Sequence, residues 1–176
     1  DLLDYALNKA LAVTKSKFGY IFLYSEENNK FTFNSWSDSV LEECGIVDRQ
    51  MANHLDQTGI WGEAIRQRRH IIINDFQMPS PLKNGPPERH VKLFKYLTVP
   101  IFDRDKIVAV VGVANRELDY TQADASNLTL LLNNVWTLLE RKKSEELLIK
   151  EKDLLKATLY SVEYLSYHDQ LTGLYN

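Results

Sequence analysis

YLTVPIFDRDKIVAVVGVAN, residues 96–115, is the most regular part of the chain. Two apolar runs rich in β-branched residues, 96–102 and 106–115, flank the polar triplet Asp103-Arg104-Asp105. Two such runs joined by a short polar turn predict a β-hairpin. The longest unbroken apolar run, Ile107 to Ala114, is far shorter than the roughly 20 residues that span a bilayer. The sequence therefore predicts a hairpin inside a globular domain.

The residues before this hairpin predict a helix and two further strands. Apolar residues spaced by three and four predict an amphipathic first helix, and they are Leu2, Leu3, Ala6, Leu7, Ala10 and Leu11. The segment 20–24 is apolar at both alternating positions, which predicts an interior strand covered on two faces. After a turn at 26–29, the next strand alternates, so we expect Phe31 and Phe33 on one face and Trp36 on the other.

The middle of the chain is less regular. A short helix is expected near 48–54, and a second helix is expected from Gly59 to Arg69 with Thr58 as its N-cap. The residues of this second helix that are predicted to face the core are Ile60, Trp61, Ala64 and Ile65. The segment 70–74 predicts another strand. The Pro-rich segment 76–95 predicts a long loop, and such loops frequently serve as lids or binding elements.

The last predicted element is a very long helix. Thr121 is its expected N-cap, and no Gly or Pro interrupts the sequence up to about Leu165. Some 45 residues at 1.5 Å per residue give a length of roughly 65 Å, which few globular domains need. In its first half, a stripe is predicted to close the sheet domain, formed by Leu128, Leu131, Val135 and Leu138 with Trp136 and Leu139 beside it.

The second half of this helix has a different pattern. Its composition becomes highly charged from Glu140, and the apolar frame shifts near Leu148 as in a stutter. The apolar residues that then recur at heptad-like spacing are Leu148, Leu155, Leu159 and Val162. One interpretation is a single solvated helix stabilised by pairs such as Glu146–Lys150. The other is a parallel two-helix coiled coil, in which a second copy of the chain covers the apolar seam.

Composition excludes several classes of function. The 21 Lys and Arg nearly balance the 24 Asp and Glu, so no basic surface argues for a nucleic-acid partner. Cys44 is the only cysteine, and its acidic neighbours disfavour a reactive thiolate. The four histidines lack metal-ligand spacing, and no nucleophile or phosphate-loop pattern is present. We therefore expect no metal, no certain cofactor and no catalysis, and leave an unidentified small molecule as the expected ligand.

Four stretches in the first 140 residues resemble a GAF domain, closest to the bacterial subgroup found before histidine kinases and cyclases. They are GIWGEAIR at 59–66, IIND at 72–75, LTVPIFD at 97–103 and IVAVVGVAN at 107–115. The resemblance implies an α+β fold with a central antiparallel sheet and helices on both sides. It places the terminal helices on one face of the sheet and a ligand pocket on the other.

The end of the chain resembles a second family. HDQLTGLYN, residues 168–176, matches the D-x-L-T-G-L-x-N opening of GGDEF domains. The resemblance implies a parent protein that makes cyclic di-GMP from two GTP molecules brought together by dimerisation. The catalytic residues of that family do not occur in these residues, so no enzyme activity is expected of the chain itself.

Together these patterns predict a GAF-like domain over 1–139, a signalling helix over 140–166 and the start of a GGDEF domain over 167–176. The expected function is a cytoplasmic regulatory domain that senses a small molecule and controls a diguanylate cyclase. The expected partner is a second copy, paired through the terminal helices, and any membrane link is expected only in upstream segments. The alternative is a ligand-free dimerisation scaffold.

The candidate ligand-binding side chains come from three parts of the sequence. Trp36 is expected on the face of the sheet that the terminal helices do not cover. Both Trp36 and Trp61 suit the wall of a pocket, although both would also suit ordinary packing of that face. Arg89 and His90 leave the Pro-rich loop together, where they would hold an anion or a polar group unless the loop exit is simply solvated.

Two asparagines complete the candidate set. Asn74 and Asn115 each end a predicted strand. Their amides would either point into the pocket or form turns, and asparagine is common in turns.

Overall fold

The computed structural model describes residues 2–37, 60–78 and 92–167. These contain three α-helices, one 3-10 turn and five strands: α1 (Leu2–Thr14), β1 (Phe18–Ser25), β2 (Lys30–Trp36), the 3-10 turn Ile60–Gly62, α2 (Glu63–Arg66), β3 (Ile71–Ile73), β4 (Tyr96–Asp103), β5 (Lys106–Ala114) and α3 (Gln122–Tyr167). The predicted helix at 48–54, the N-cap Thr58 and most of the Pro-rich loop lie outside the described residues.

One antiparallel sheet holds all five of these strands, in the order β2-β1-β5-β4-β3. The hairpin predicted at 96–115 forms its centre, with Tyr96 paired to Ala114 and Asp103 paired to Lys106. Arg104 turns the chain between the two strands with a φ of 53°. The interior position predicted for residues 20–24 is also confirmed, because β1 lies between β2 and β5.

Helix α1 covers one side of the sheet, which we call the helix face. Leu7 is buried in α1, and a Cβ atom on Gly19 would approach the side chains of Leu7 and Leu11 to 2.9 Å. Glycine at this position therefore lets the helix pack closely on β1. The Ser35 hydroxyl donates to the Asp4 carboxylate over 2.6 Å and ties the edge strand β2 to the same helix.

The opposite side of the sheet, which we call the aromatic face, carries a second buried cluster. Its members from the strands include Tyr20, Phe22 and Tyr96. The short helical segment after residue 59 covers part of this face, because Ile60, Ala64 and Ile65 belong to the same cluster. The expected arrangement of helices on both sides of an antiparallel sheet is thus confirmed.

Strand β2 corrects one prediction. Phe31 and Trp36 were expected on opposite faces, but both pack against the aromatic-face cluster. A β-bulge explains the difference: Leu23 pairs with Phe33, whereas the next residue, Tyr24, pairs with Phe31. The extra residue of β2 reverses the alternation of the strand beyond it. The expected position of Trp36 on the face away from α1 is nevertheless correct.

The middle helix is shorter than predicted. It was expected over 59–69, whereas the 3-10 turn and α2 together run from Ile60 to Arg66. The helix stops because the chain turns over the next two residues, and Arg68 adopts a φ of 52°. Its guanidinium group then pairs with the Glu26 carboxylate. The strand expected at 70–74 is likewise confined to Ile71–Ile73.

Helix α3 begins as predicted and continues for 46 residues. At its start, the Asp124 N–H donates to the Thr121 hydroxyl over 3.3 Å, while the Asp124 carboxylate accepts from the Thr121 N–H over 2.7 Å. This reciprocal pair satisfies two backbone donors that a helix N-terminus would otherwise leave free.

The stripe predicted along the first half of α3 is partly wrong. The buried side chains are Ala125, Leu128, Leu132 and Val135, so Leu132 takes the position expected for Leu131. Leu138, also expected in the stripe, is 55% exposed. The expected and the observed stripes have the same spacings of three, four and three residues, so the spacing alone could not decide which of two neighbouring lines of the helix is buried.

The chain divides into two compact units, Asp1–Val135 and Trp136–Asn176. In the second unit, every described side chain from Arg141 to Tyr164 is exposed. None of the helices in the described ranges combines the length and the apolar character that a membrane crossing demands.

Candidate functional site: a buried hydroxyl cluster on the aromatic face

Three hydroxyl groups meet at the centre of the aromatic face. The Tyr20 and Tyr96 oxygens are 2.5 Å apart, and the Tyr20 oxygen lies 3.2 Å from the Thr98 hydroxyl. Register brings them together, because Tyr20 and Thr98 both pair with Gly112 on the central strand β5. All three residues are buried, so an apolar face contains a fixed polar centre, which we call the hydroxyl cluster.

The hydrogen bonds of the hydroxyl cluster all have the same donor-to-acceptor direction. The Thr98 hydroxyl donates to the Val111 carbonyl over 3.1 Å. Because a hydroxyl has only one proton, Thr98 must accept from Tyr20, and Tyr20 must then accept from Tyr96. Tyr20 is therefore the member of the cluster that both donates to one partner and accepts from the other.

Gly112 provides the space for this cluster. A Cβ atom at this position would overlap the ring and hydroxyl of Tyr20. The Tyr20 ring therefore lies directly over the backbone of the central strand, and only glycine permits that approach. Substitution by alanine would force a buried aromatic ring to move.

Burial keeps the two phenols neutral. Desolvation raises the pKa of Tyr20 to about 12, although the hydrogen bonds with Thr98 and Tyr96 act in the opposite direction. Desolvation, followed by the proximity of Tyr20, raises the pKa of Tyr96 well above its ordinary value. The hydroxyl cluster therefore has no charge at physiological pH.

Aromatic rings surround the hydroxyl cluster. Trp36 lies 5.6 Å from the Tyr20 ring and 5.2 Å from the Phe22 ring, as measured between centroids. On the other side, Phe76 meets the Tyr96 ring edge-on at 6.3 Å. Aromatic walls around a few fixed polar groups are typical of small-molecule sites.

The structure assigns different places to the candidates predicted from sequence. Trp36 lies on the aromatic face beside the hydroxyl cluster, whereas only the backbone of Trp61 is described. Arg89 and His90 lie outside the described residues. Their roles in binding, and that of Trp36, remain predictions.

Both asparagine amides are bound to the backbone. Asn74 donates to the Tyr120 carbonyl over 3.0 Å and accepts from the Tyr120 N–H over 2.7 Å. Asn115 donates to the Lys92 carbonyl over 2.7 Å and accepts from the Phe94 N–H over 2.8 Å. These contacts give both side chains a structural part in joining loops, so we do not include them in the candidate site.

Sequence reasoning missed Tyr20, Tyr96, Thr98 and Gly112. A signal was present, because Tyr20 and Tyr96 stand in strands that are otherwise almost wholly apolar. A buried tyrosine requires a hydrogen-bond partner for its hydroxyl. Which partner it has depends on the register between strands, and the sequence did not specify that register.

Metal coordination has no support in the described ranges. They contain no cluster of three or more His, Cys, Asp or Glu side chains that would hold a metal ion.

Comparisons with known proteins identify the class. The family profile described as GAF domain matches residues 1–140. The chain therefore belongs to the GAF domain family, and its first unit is a sensory domain of the kind found in signalling proteins.

One curated relative has substantial sequence identity. The methyl sulfide methyltransferase-associated sensor of Methanosarcina acetivorans is 44% identical over 148 residues. The alignment covers 84% of this chain and 15% of the relative, so the chain spans only a small part of that protein's length.

Solved structures share the fold at low identity. The GAF domain of a phosphoenolpyruvate-protein phosphotransferase from Coxiella burnetii has a TM-score of 0.62 at 10% identity, covering 82% of this chain and 83% of that one. Residues 122 to 287 of a methyl-accepting chemotaxis protein have a TM-score of 0.61 at 15% identity, covering 80% and 90%. The GAF domain of a sensor histidine kinase from Bacillus halodurans has a TM-score of 0.55 at 18% identity, covering 80% and 97%.

Proposed function

We propose that the first unit is a ligand-responsive regulatory domain that binds an uncharged, planar small molecule on the aromatic face. The observation that carries this proposal is the hydroxyl cluster of Tyr20, Tyr96 and Thr98, enclosed by aromatic rings on the face away from α1. Buried polar groups cost stability relative to a purely apolar core. Membership of the GAF family and the 44% sequence identity to a protein named as a sensor support this role.

The long helix α3 is proposed to pair with α3 of a second copy. Its predicted seam is exposed in a single chain, with Leu148, Leu155, Leu159 and Val162 between 55% and 66% exposed. Spacings of seven residues from Leu148 to Leu155 and to Val162 place these side chains on one line of the helix. The same line on a second copy would cover them, because a parallel pair brings identical positions together.

The output of this domain is proposed to be a diguanylate cyclase. The proposal rests on the HDQLTGLYN motif at 168–176, which follows α3 directly and lies outside the described residues. The parent protein would make cyclic di-GMP in the cytoplasm, and the chain itself would regulate rather than catalyse. A ligand-dependent change at the base of the paired helices would then alter how two cyclase domains meet.

A ligand-free scaffold is the second candidate function. It is favoured by the packing of Trp36 against Tyr20 and Phe22, which fills part of the aromatic face with side chains. In that case the first unit would only hold two helices together.

Thermal-shift screening of the chain against a library of nucleobases, nucleosides and uncharged aromatic metabolites distinguishes the two functions. A ligand at 100 times its Kd stabilises the folded state by about 2.7 kcal/mol, which would raise the Tm by about 5–10 °C. Trp36→Ala and Thr98→Val should reduce the shift, since they alter the wall and the hydroxyl cluster. Leu118→Ala, at an exposed side chain that is not part of the aromatic-face cluster, should not.

The scaffold function is supported, and the sensing function is contradicted, if no compound raises the Tm and native mass spectrometry finds no bound small molecule in the purified protein. A shift that survives both substitutions would place the binding site elsewhere.

A further inference from the structure

The end of strand β3 is joined to the start of helix α3 by one side chain. Asn74, the residue after β3, donates to the carbonyl of Tyr120 and accepts from its N–H. Tyr120 directly precedes Thr121, the N-cap of α3. The amide therefore holds both backbone groups of the residue that leads into the helix, and we call this contact the Asn74 clamp.

Tyr120 has little freedom to move independently of its surroundings. Its side chain is 2% exposed, and its hydroxyl lies 2.6 Å from that of Ser16, which in turn lies 2.8 Å from the Thr14 hydroxyl at the end of α1. The Arg116 guanidinium stacks 4.9 Å from the Tyr120 ring centroid. Displacement of the Tyr120 backbone would therefore disturb the first turn of α3.

Arg116 extends the connection into the helix itself. Its guanidinium pairs with the Asp124 carboxylate at 2.7 Å, in the first turn of α3. It also donates to the carbonyls of Leu118 and Asp119 in the linker. The linker after β5 is thus fixed to the helix by charge-assisted hydrogen bonds.

The chain on either side of Asn74 packs on the aromatic face. Ile73 and Phe76, on either side of Asn74 in the chain, both pack against the aromatic-face cluster. Phe76 contacts the Tyr96 ring at 6.3 Å, and its N–H donates to the Phe94 carbonyl over 2.8 Å. A change in the position of Tyr96 therefore reaches Asn74 through one ring contact and two residues of chain.

We propose that Asn74 is a positioning residue that couples the aromatic face to the first turn of α3. The route runs from Tyr96 to Phe76, then to Asn74, the Tyr120 backbone and the Thr121–Asp124 cap. Because a single amide makes both hydrogen bonds, rotation or withdrawal of that amide breaks both together. This inference rests on the proposed function only in that it gives a ligand on the aromatic face a path to the output helix.

A double-mutant cycle read by hydrogen exchange tests the clamp without any ligand. Asn74→Asp keeps the acceptor for the Tyr120 N–H but places an oxygen against the Tyr120 carbonyl. Loss of such a hydrogen bond should speed amide exchange in peptides covering 116–128 by about 5–10-fold. Phe76→Leu, a mild change on the aromatic face, should also speed exchange there by several-fold in the wild-type background.

The coupling is shown if Phe76→Leu adds no further acceleration once Asn74→Asp is present. Ser16→Ala is the matched control, because it removes the partner of the Tyr120 hydroxyl and leaves the Asn74 clamp intact, so the effect of Phe76→Leu should persist. Exchange in β1 peptides and the Tm report whether each variant is folded.

Additive effects of the two substitutions, or no effect of Phe76→Leu at 116–128 in either background, would overturn the clamp. The screen for ligands is a separate experiment. If the hydrogen-exchange cycle shows coupling but the screen finds no ligand, the scaffold function is supported. If the screen finds a ligand but the cycle shows no coupling, the ligand must reach α3 by another route.

Discussion

Tyr20, Tyr96 and Thr98 show how much of a site depends on single hydroxyl groups. Each would be unremarked in a sequence, since tyrosine and threonine are common in strands. The assembled sheet brings them into one chain of hydrogen bonds with a defined direction. Tyr20 is the middle member of this chain, because its hydroxyl is bonded to Tyr96 on one side and to Thr98 on the other.

Replacement of the two tyrosines by phenylalanine should therefore have unequal costs. Tyr20→Phe removes the donor to Thr98 and the acceptor of Tyr96, and should lower the free energy of unfolding by about 2–3 kcal/mol. Tyr96→Phe removes one donor and should cost about 1 kcal/mol. Urea denaturation followed by tryptophan fluorescence measures both, with Tyr5→Phe at an exposed position as the control. Equal losses, or a larger loss for Tyr96→Phe, would contradict the central position of Tyr20 in this chain of hydrogen bonds.

Among the elements, the strands of the central hairpin and the start of α3 were predictable from local patterns. The hairpin needed only its two apolar runs and the polar turn at 103–105, and α3 needed only Thr121 and the absence of Gly and Pro. The bulge in β2 was not predictable, because it depends on pairing between Leu23 and Phe33 in another strand. The early end of α2 at Arg66 was not predictable either, since Arg68 leaves the helical region to pair with Glu26.

The N-terminus of α3 should give the domain an acid-sensitive element. Although partial burial opposes it, hydrogen bonds from Thr121 and Arg116 keep the pKa of Asp124 below its ordinary value. The ionised carboxylate therefore stabilises the fold above the unfolded pKa of about 3.9, and this contribution is lost as the pH falls through the lower pKa of the folded state.

Asp124→Asn should lower the free energy of unfolding at pH 7 by about 1 kcal/mol. It should also flatten the fall in stability as the pH drops below about 4, because the variant has no carboxyl to protonate there. Thermal unfolding across this range measures both effects. Glu145→Gln, which removes a fully exposed ion pair with Arg141, is the control and should leave the acid profile nearly unchanged. An unaltered profile in Asp124→Asn would contradict the role of this cap.

For the whole molecule, the sequence was enough to predict the fold but only part of the site. The apolar patterns predicted most of the strands and helices, the resemblance of four stretches to GAF domains implied the fold, and Trp36 was correctly placed on the face away from α1. The hydroxyl cluster and the Asn74 clamp were not predicted, because they join residues 76 and 46 positions apart in the chain. Contacts of this range follow from the assembled sheet and not from local sequence.

The proposed function requires two chains to meet along α3, because the regulatory domain is proposed to act on its output through a paired helix. Leu155 and Leu159 lie near the middle of the proposed seam, and lysine at both positions would place like charges in it. Ala157 and Tyr160 lie on the opposite side of the same helix, so lysine at those two positions adds the same charge outside the seam.

Sedimentation equilibrium of the chain at micromolar concentration tests this requirement most directly. We predict twice the mass of one chain for the wild type and for Ala157→Lys/Tyr160→Lys, and the mass of a single chain for Leu155→Lys/Leu159→Lys. A wild-type protein with the mass of one chain, or a Leu155→Lys/Leu159→Lys variant that keeps the mass of two, would contradict the proposed pairing.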